Sequence, residues 1–431
     1  MTDALVVILD EVVAGTLVRL PQGRLRFDYE QEYHRLPNPT PLSLSMPTQV
    51  TSHPNHVVTP WLWGLLPDNE AVLSRWSRQF HVSASSPFAL LSSPIGEDCA
   101  GAVRFAAPND LDRVLARSGD VAWLTEDQVA ERLRELRQDS TAWLGRRFTG
   151  QFSLAGAQAK TALLKKGSRW GVPTGSIPTT HILKPAVAGF DDHDLNEHLC
   201  LDAARRAGLL AVRTTVERFG EESAVVVDRY DRVIDRDPII RVHQEDLCQA
   251  LGVPPSRKYQ NEGGPSPRDV VGLLRRAIAP RVADDAVWRF VDALIWNWFL
   301  AGTDAHAKNY SILLAGNQVR LAPMYDVASA LPYGTHERKL RLAMKVGHDY
   351  RVYPDRNNWP NAARDLALDP ERLVARVREI GALIPSSFLE AATSPSVQAL
   401  GRPLPAKLFD LVSDRVVRCL RVLDDAPRPR D

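Results

Sequence analysis

An apolar helical stripe that runs straight into a cluster of dissimilar polar groups constrains this chain most. From Asp284 to Ala301, apolar side chains fall at Val287, Phe290, Val291, Leu294, Ile295, Trp298 and Phe299. This is the i, i+3, i+4, i+7 spacing of a buried helix face. Asp284 or Asp285 is placed to cap its start and Gly302 to end it. Directly after come Thr303-Asp304-Ala305-His306-Ala307-Lys308-Asn309. Tyr310 to Leu314 then reads as a strand, Ala315-Gly316-Asn317 as a turn, and Val319 to Leu321 as the returning strand. A hairpin folds back on its origin. Asp326, within Tyr325-Asp326-Val327, is therefore expected beside Asp304 and Asn309.

Two carboxylates and a carboxamide gathered in this way suit phosphoryl transfer, which needs a base for the attacking hydroxyl and oxygen ligands for magnesium. Taken singly, each residue has an ordinary structural role: Asp304 caps a turn, Asn309 bonds loop backbone, and His306 and Lys308 are solvated. Together, such distinct groups between an apolar helix and a strand exceed what solvation requires. A metal hydrolase built on Asp304 and His306 would need further histidines for a transition-metal shell, and none is near in sequence.

A nucleotide site also needs a phosphate-covering loop, a lysine for the phosphates and a hinge for the base, and each has an upstream candidate. The small-residue segment from Gly150 to Thr161 contains Ser153, Ala155, Gly156, Ala157, Gln158 and Lys160, and runs into the apolar Ala162-Leu163-Leu164. Small residues between extended segments let backbone N–H groups approach phosphate oxygens. It is not a Walker loop, because Lys160 follows no glycine and its flanks read as strands; an ordinary hairpin has the same pattern. Thr179 to Lys184 reads as a strand ending in a lysine. Asp194 to Ala207 reads as a helix with Gly208 at its end and Glu197 in its first turn. Lys184 and Glu197 could form a kinase-type pair, or remain a strand lysine and a helix glutamate that never meet. Ser223 to Val227 reads as a buried strand entering Asp228-Arg229-Tyr230-Asp231-Arg232, as an interlobe hinge would, and as many strand ends do.

The ordered segments SLAGAQAKTALL, THILKP, NEHLCLDAARRAGL, VVVDRYDR, QEDLCQALG, KYQNEGGP, AGTDAHAKNYSILL and LAPMYDVASALP resemble the HipA family of bacterial serine/threonine kinase toxins. LPNPTPLSLSMP, WGLLPDN and SPFALLSSPIGEDCAGAV are similar to that family's N-terminal part. The resemblance implies a two-lobed, protein-kinase-like α+β fold using ATP and Mg2+. It implies Asp304 as catalytic base, Asn309 and Asp326 as magnesium ligands, and His306 and Lys308 as phosphate contacts or loop supports. By the same likeness Lys184 meets nucleotide phosphates, and the backbone around Asp228, Arg229 and Tyr230 meets adenine. Ser153 to Lys160 becomes the phosphate loop, with Ser153 an autophosphorylation site whose modification switches the kinase off. Ala159 stands where the family often has glutamate. The implied partners are a HipB-type helix-turn-helix antitoxin, operator DNA reached mainly through it, and a protein substrate, aminoacyl-tRNA synthetases being among those associated with the family. The machinery alone would equally serve a small-molecule kinase acting on a sugar or lipid. A catalytically idle co-repressor would be expected to have lost one of Asp304, Asn309, Asp326 or Lys184.

At 431 residues, 44% of them hydrophobic, the chain can carry more than one core. No apolar run is long enough to span a bilayer and no signal-peptide pattern opens the chain, so a cytoplasmic protein is expected. Cys99, Cys200, Cys248 and Cys419 are widely spaced, which suggests neither a zinc site nor a disulfide framework, and Cys200 and Cys248, within apolar helical patterns, read as buried thiols. A net charge of +1 gives no global pull toward nucleic acid, and Arg415, Arg418 and Arg421 read as an exposed helix face. A β-rich part, residues 1 to 147, is expected to precede a kinase core, 148 to 431. Helices are expected at Thr125 to Gln138, Gln244 to Leu251, Pro267 to Ile278, Pro370 to Ile380 and Leu404 to Leu423. A Pro/Ser-rich stretch runs from Pro37 to Pro60, and the segment from Ser256 to Pro267 reads as a mobile loop and a candidate substrate contact.

Overall fold

Ala4–Leu9 is aliphatic at every position because both of its faces are covered. Leu5, Val7 and Leu9 enter one apolar core while Val6 and Ile8 enter another, the two-residue alternation of a strand. In this computed structural model the described residues are 3–9, 11–116, 118–145, 152–187, 189–236 and 238–424. Gly150 and Gln151, at the head of the small-residue segment, and the terminal 425–431 lie outside them. The chain divides into two compact units. The first comprises Met1–Pro185, Arg218–Arg257 and Ser311–Arg320; the second comprises Ala186–Glu217, Lys258–Tyr310 and Leu321–Asp431. Strands far along the chain return to pair inside the first unit, so contiguity in sequence does not mark the boundary.

The first unit is β-rich. An antiparallel five-stranded sheet runs Ser52–His53, Leu25–Tyr29, Val12–Arg19, Ala4–Leu9, Arg104–Ala106. Trp61, Trp76, Phe88 and Trp143 fill the core on one side of it, and Phe152 and Leu154 join them. A second sheet has the order Thr214–Phe219, Glu222–Asp228, His181–Pro185, Thr161–Lys166, Arg169–Pro173, Val121–Leu124; along its first strand the chain passes between units. Helix Glu126–Gln138, opened by a Thr125/Gln128 capping box, buries Val129, Ala130 and Leu133 with this sheet's Leu163, Leu183 and Val226.

One sequence expectation fails in this unit. Gln244 to Leu251 is not one helix: His243–Asp246 is a strand paired antiparallel with Ser311–Ala315, and only Leu247–Ala250 is helical, capped by Asp246. The strand's partner lies some 65 positions away, beyond any local pattern. The Pro/Ser-rich stretch, in turn, contains the start of helix Asn55–Gly64, with Pro60 inside it.

The second unit is mostly helical. Pro370–Ala392 packs on Leu404–Asp424, His193–Arg206 and Pro280–Leu300, and runs well past Ile380. The helix that leads to Asp304 starts at Pro280, not at Asp284: proline occupies the first turn, where its missing N–H costs nothing. Arg415 is the clearest departure. It is fully buried, and its guanidinium donates to the carbonyls of Trp298 (2.8 Å), Phe299 (3.0 Å) and Val352 (2.7 Å) and pairs with Glu337. Its place on a helical stripe could not reveal that it closes the open carbonyls of another helix's C-terminus. Among the described residues no helix is long and apolar enough to cross a membrane. All four cysteines are buried free thiols.

Candidate active site

The helix Pro280–Leu300 is buried along Val287, Phe290, Val291, Ile295 and Trp298, which holds its end rigidly. Ala301 ends it in the left-handed region (φ 52°), and the Gly302 N–H returns to the Asn297 carbonyl at 2.8 Å. A Cβ on Gly302 would sit 2.3 Å from Asn297 Oδ1, so any larger residue would have to displace that buried amide. The loop that follows binds itself together. His306 N–H donates to the Asp304 carbonyl (2.8 Å), Asn309 N–H to the His306 carbonyl (2.9 Å), and Asn309 Nδ2 to the Asp304 carbonyl (2.8 Å).

The returning segment is anchored on both sides of Asp326. Before it, Met324 exchanges backbone hydrogen bonds with Leu210 and Val212, and the Tyr325 hydroxyl donates to the Lys308 carbonyl at 2.8 Å. After it, Ser329 Oγ donates to the Leu300 carbonyl (2.6 Å) and Ala330 N–H to that of Ala301 (3.2 Å). Buried Asn196 clamps Ser329 through both its N–H and its carbonyl, at 2.9 and 2.8 Å. Asp326 itself takes a left-handed φ of 57°, a conformation that aspartate tolerates better than most residues but that the surroundings must hold in place. The stretch with Asp326 is thus tied to residues on either side of Asp304, as the hairpin argument requires.

Asp304 is the exposed member of this group, with 66% of its side chain accessible. Its Oδ1 accepts a 2.6 Å hydrogen bond from the Tyr259 hydroxyl, and His306 Nε2 lies 3.9 Å away. The Tyr259 ring packs edge-on against the His306 ring at 4.9 Å, and His306 and Lys308 are buried. Tyr259 was not visible as a site residue in the sequence. Its signals were its place in KYQNEGGP and in the Ser256 to Pro267 loop, neither of which points to Asp304.

The oxygen donors suit magnesium. Because Asn309 spends its Nδ2 on the Asp304 backbone, its Oδ1 remains for a ligand, and Asp326 adds a carboxylate; magnesium characteristically takes one or two protein oxygens and keeps its waters.

In the first unit the small-residue loop is anchored by its own side chains. Phe152 and Leu154 are buried in the core, and Ser153 between them is fully buried. Ser153 Oγ donates to the Leu65 carbonyl at 2.7 Å, and its N–H to the Asp98 carbonyl at 2.9 Å. Lys160 donates to the Ala155 carbonyl (2.6 Å) and lies 4.9 Å from the centroid of the Trp143 ring. Ala155 and Gly156 are half-buried and Ala157 is exposed, and Gln158 keeps a buried Nε2 that no protein atom satisfies among the described residues. That donor, beside small residues, fits an anionic oxygen.

Lys184 is buried on the strand His181–Pro185, opposite Val225. Asp228 ends the neighbouring strand opposite His181, 3.4 Å from its Nε2. The side chains of Arg229 and Tyr230 turn inward: Arg229 pairs with Asp231 and Asp98, and the Tyr230 hydroxyl donates to Gln244 at 2.6 Å. Any adenine contact there falls to backbone. Glu197 is buried in helix His193–Arg206 of the second unit.

Comparison with known proteins adds to this geometry. A family model described as the HipA-like C-terminal domain matches residues 152–388, and one described as the HipA N-terminal domain matches 5–106. A protein of Sinorhizobium fredii named "Putative kinase Y4mE" is 34% identical over 362 residues, covering 83% of this chain and 84% of that one. The serine/threonine-protein kinase toxin HipA of Shewanella oneidensis is 29% identical over 320 residues, 70% of each. In fold, the chain is similar to HipA in the Shewanella oneidensis HipA, HipB and operator DNA complex. That match has a TM-score of 0.82 at 23% identity, over 98% of this chain and 100% of that one.

Proposed function

The chain belongs to the HipA family of kinases, and on that premise we propose that it is an ATP- and magnesium-dependent serine/threonine protein kinase, the toxin of a toxin–antitoxin pair. The observation that carries the reading is Asp304: an exposed carboxylate at the end of a rigid buried helix, aimed by the Tyr259 hydroxyl. Asp304 accepts the proton of the substrate hydroxyl as the oxygen attacks the γ-phosphorus of ATP and the bond from that phosphorus to the ADP oxygen breaks, releasing ADP. Asn309 and Asp326 hold magnesium, which supplies charge neutralisation on the transferring phosphoryl group. His306 and Lys308 brace the loop from within. Lys184 pairs with nucleotide phosphates, the Ser153–Lys160 loop offers them backbone N–H groups, and the backbone of Asp228 to Tyr230 meets the base. Catalysis then rests on positioning and charge, with no covalent enzyme intermediate.

Ser153 is the off-switch in this reading. Its hydroxyl is fully buried against the Leu65 carbonyl, where a dianionic phosphate would face an acceptor it cannot bond. A phosphorylated Ser153 must therefore leave, taking the loop with it. The partner is a HipB-type helix-turn-helix antitoxin, through which operator DNA is reached, and the target is a protein, of which aminoacyl-tRNA synthetases are the first to examine. Purified chain given labelled ATP and magnesium should label Ser153, and Ser153→Ala should remove that label. Asp304→Ala should lower transfer by about 10²–10⁴-fold. Growth arrest that survives Asp304→Ala would instead favour an idle binder, and label on a sugar or lipid alone would favour a small-molecule kinase.

A further inference from the structure

The loop that holds the base also walls a second cavity. Tyr259 donates to Asp304, and its neighbour Gln260 accepts the Lys345 N–H at 2.8 Å and lines a cavity of about 420 Å³ within the second unit. Leu294 of the helix that leads to Asp304 forms part of the floor, with Val346, Trp359 and Leu366, all buried. The rim is polar. His348 lies 3.7 Å from Asp365, the one carboxylate of the rim among the described residues, which two cations outnumber. Arg268 and Lys345 have no carboxylate partner among the described residues, so the rim carries an excess of positive charge. An apolar floor beneath a few polar groups is the usual build of a recognition pocket.

We infer that this cavity recognises the substrate protein: it takes an apolar side chain from the segment that bears the acceptor hydroxyl, with acidic residues beside it facing Arg268 and Lys345. This rests on the kinase reading above. An extended peptide advances about 3.3–3.6 Å per residue. A wall one residue along from the tyrosine on Asp304 is thus met within a few residues of the acceptor. Fixed positive charge on the rim selects acidic neighbours and rejects basic ones.

The test uses full-length chain and a fluorescein-labelled peptide in which one serine is followed by alternating leucine and glutamate. Anisotropy should show binding, and Arg268→Glu with Lys345→Glu should weaken it at least about tenfold while leaving ATP hydrolysis unchanged. A lysine-for-glutamate version of the peptide should show the reverse preference. Both positions are exposed or half-buried, so the fold survives the change. Equal affinity in wild type and double variant overturns the inference. So does an equal loss when Arg205 and Arg213, outside the cavity, are reversed instead. Binding is read without catalysis: a chain that binds the peptide yet transfers no phosphate to any hydroxyl would sink the kinase reading and leave the pocket standing.

Discussion

Asp98 in the first unit and Asp304 in the second carry the same side chain into opposite surroundings. Asp98 is buried, accepts from Thr179 N–H (3.1 Å) and Oγ1 (2.7 Å), and lies against Arg232 (3.0 Å), Arg229 (3.4 Å) and Arg241 (3.4 Å). Burial pushes its pKa up, but the three guanidinium groups outweigh that and hold it below the ordinary carboxylate range. Asp231 is held down in the same way by Arg229 and Arg232, against its own burial. Asp304 is two-thirds exposed and has a single tyrosine hydrogen bond. Glu245 is a third case: fully buried with no cation beside it among the described residues, its carboxyl pushed up to about 8 by desolvation. Strongly displaced acids often mark active sites, but structural ion networks displace them too. Here the displaced acids lie buried in the first unit, and Asp304 is the carboxylate with access.

The comparison can be broken by substitution, and the largest effect should come from Asp98→Asn. Removing that charge leaves Arg229, Arg232 and Arg241 buried with only Asp231 and the more distant Glu11 (3.9 Å from Arg241) as counter-charges among the described residues, and should cost about 3–5 kcal/mol in urea unfolding; a loss below about 1 kcal/mol would return Asp98 to the ordinary surface class. Glu245 sharpens the contrast through pH. Its folded-state pKa lies above the value of 4.5 expected when unfolded, so the folded protein holds the proton more tightly. That stabilisation is complete below about pH 4.5 and is lost as pH rises toward about 8, a decline on the order of a few kcal/mol. Unfolding midpoints taken across this window should fall for the wild type, and Glu245→Gln should remove this group's share of the slope. The smallest effect belongs to Tyr259→Phe. It should lower kcat about tenfold, with little change in KM for ATP or in thermal stability, because it frees an exposed carboxylate and empties no core. A variant that lost stability and kept kcat would make Tyr259 a structural residue.

Much of the candidate site was legible because its signals are local. The apolar spacing from Val287 to Phe299 set one face of a helix, Gly302 marked where it must end, and the short hairpin argued that residue 326 comes back toward 304. The anchors at Tyr325, Ser329 and Ala330 agree with that return. Ala4–Leu9 and the Thr125-capped helix follow from composition and capping alone. Tyr259 was missed because it is brought to Asp304 from 45 positions away, and no spacing rule reaches that far.

By itself, the order of residues determined which segments become helix, strand and turn wherever periodicity and capping act within a few positions, and it placed the acids and amides at the ends of those segments. Tertiary structure alone decided which charges are buried. Arg415 looks like any arginine on a helical stripe, and Asp98 and Asp231 like any loop acids. Only long-range packing sets the carbonyls of Trp298 and Phe299 against the first, and Arg229, Arg232 and Arg241 against the others. The physical reason is that desolvation and ion pairing depend on what surrounds a group in space, and the chain's local pattern carries no record of that.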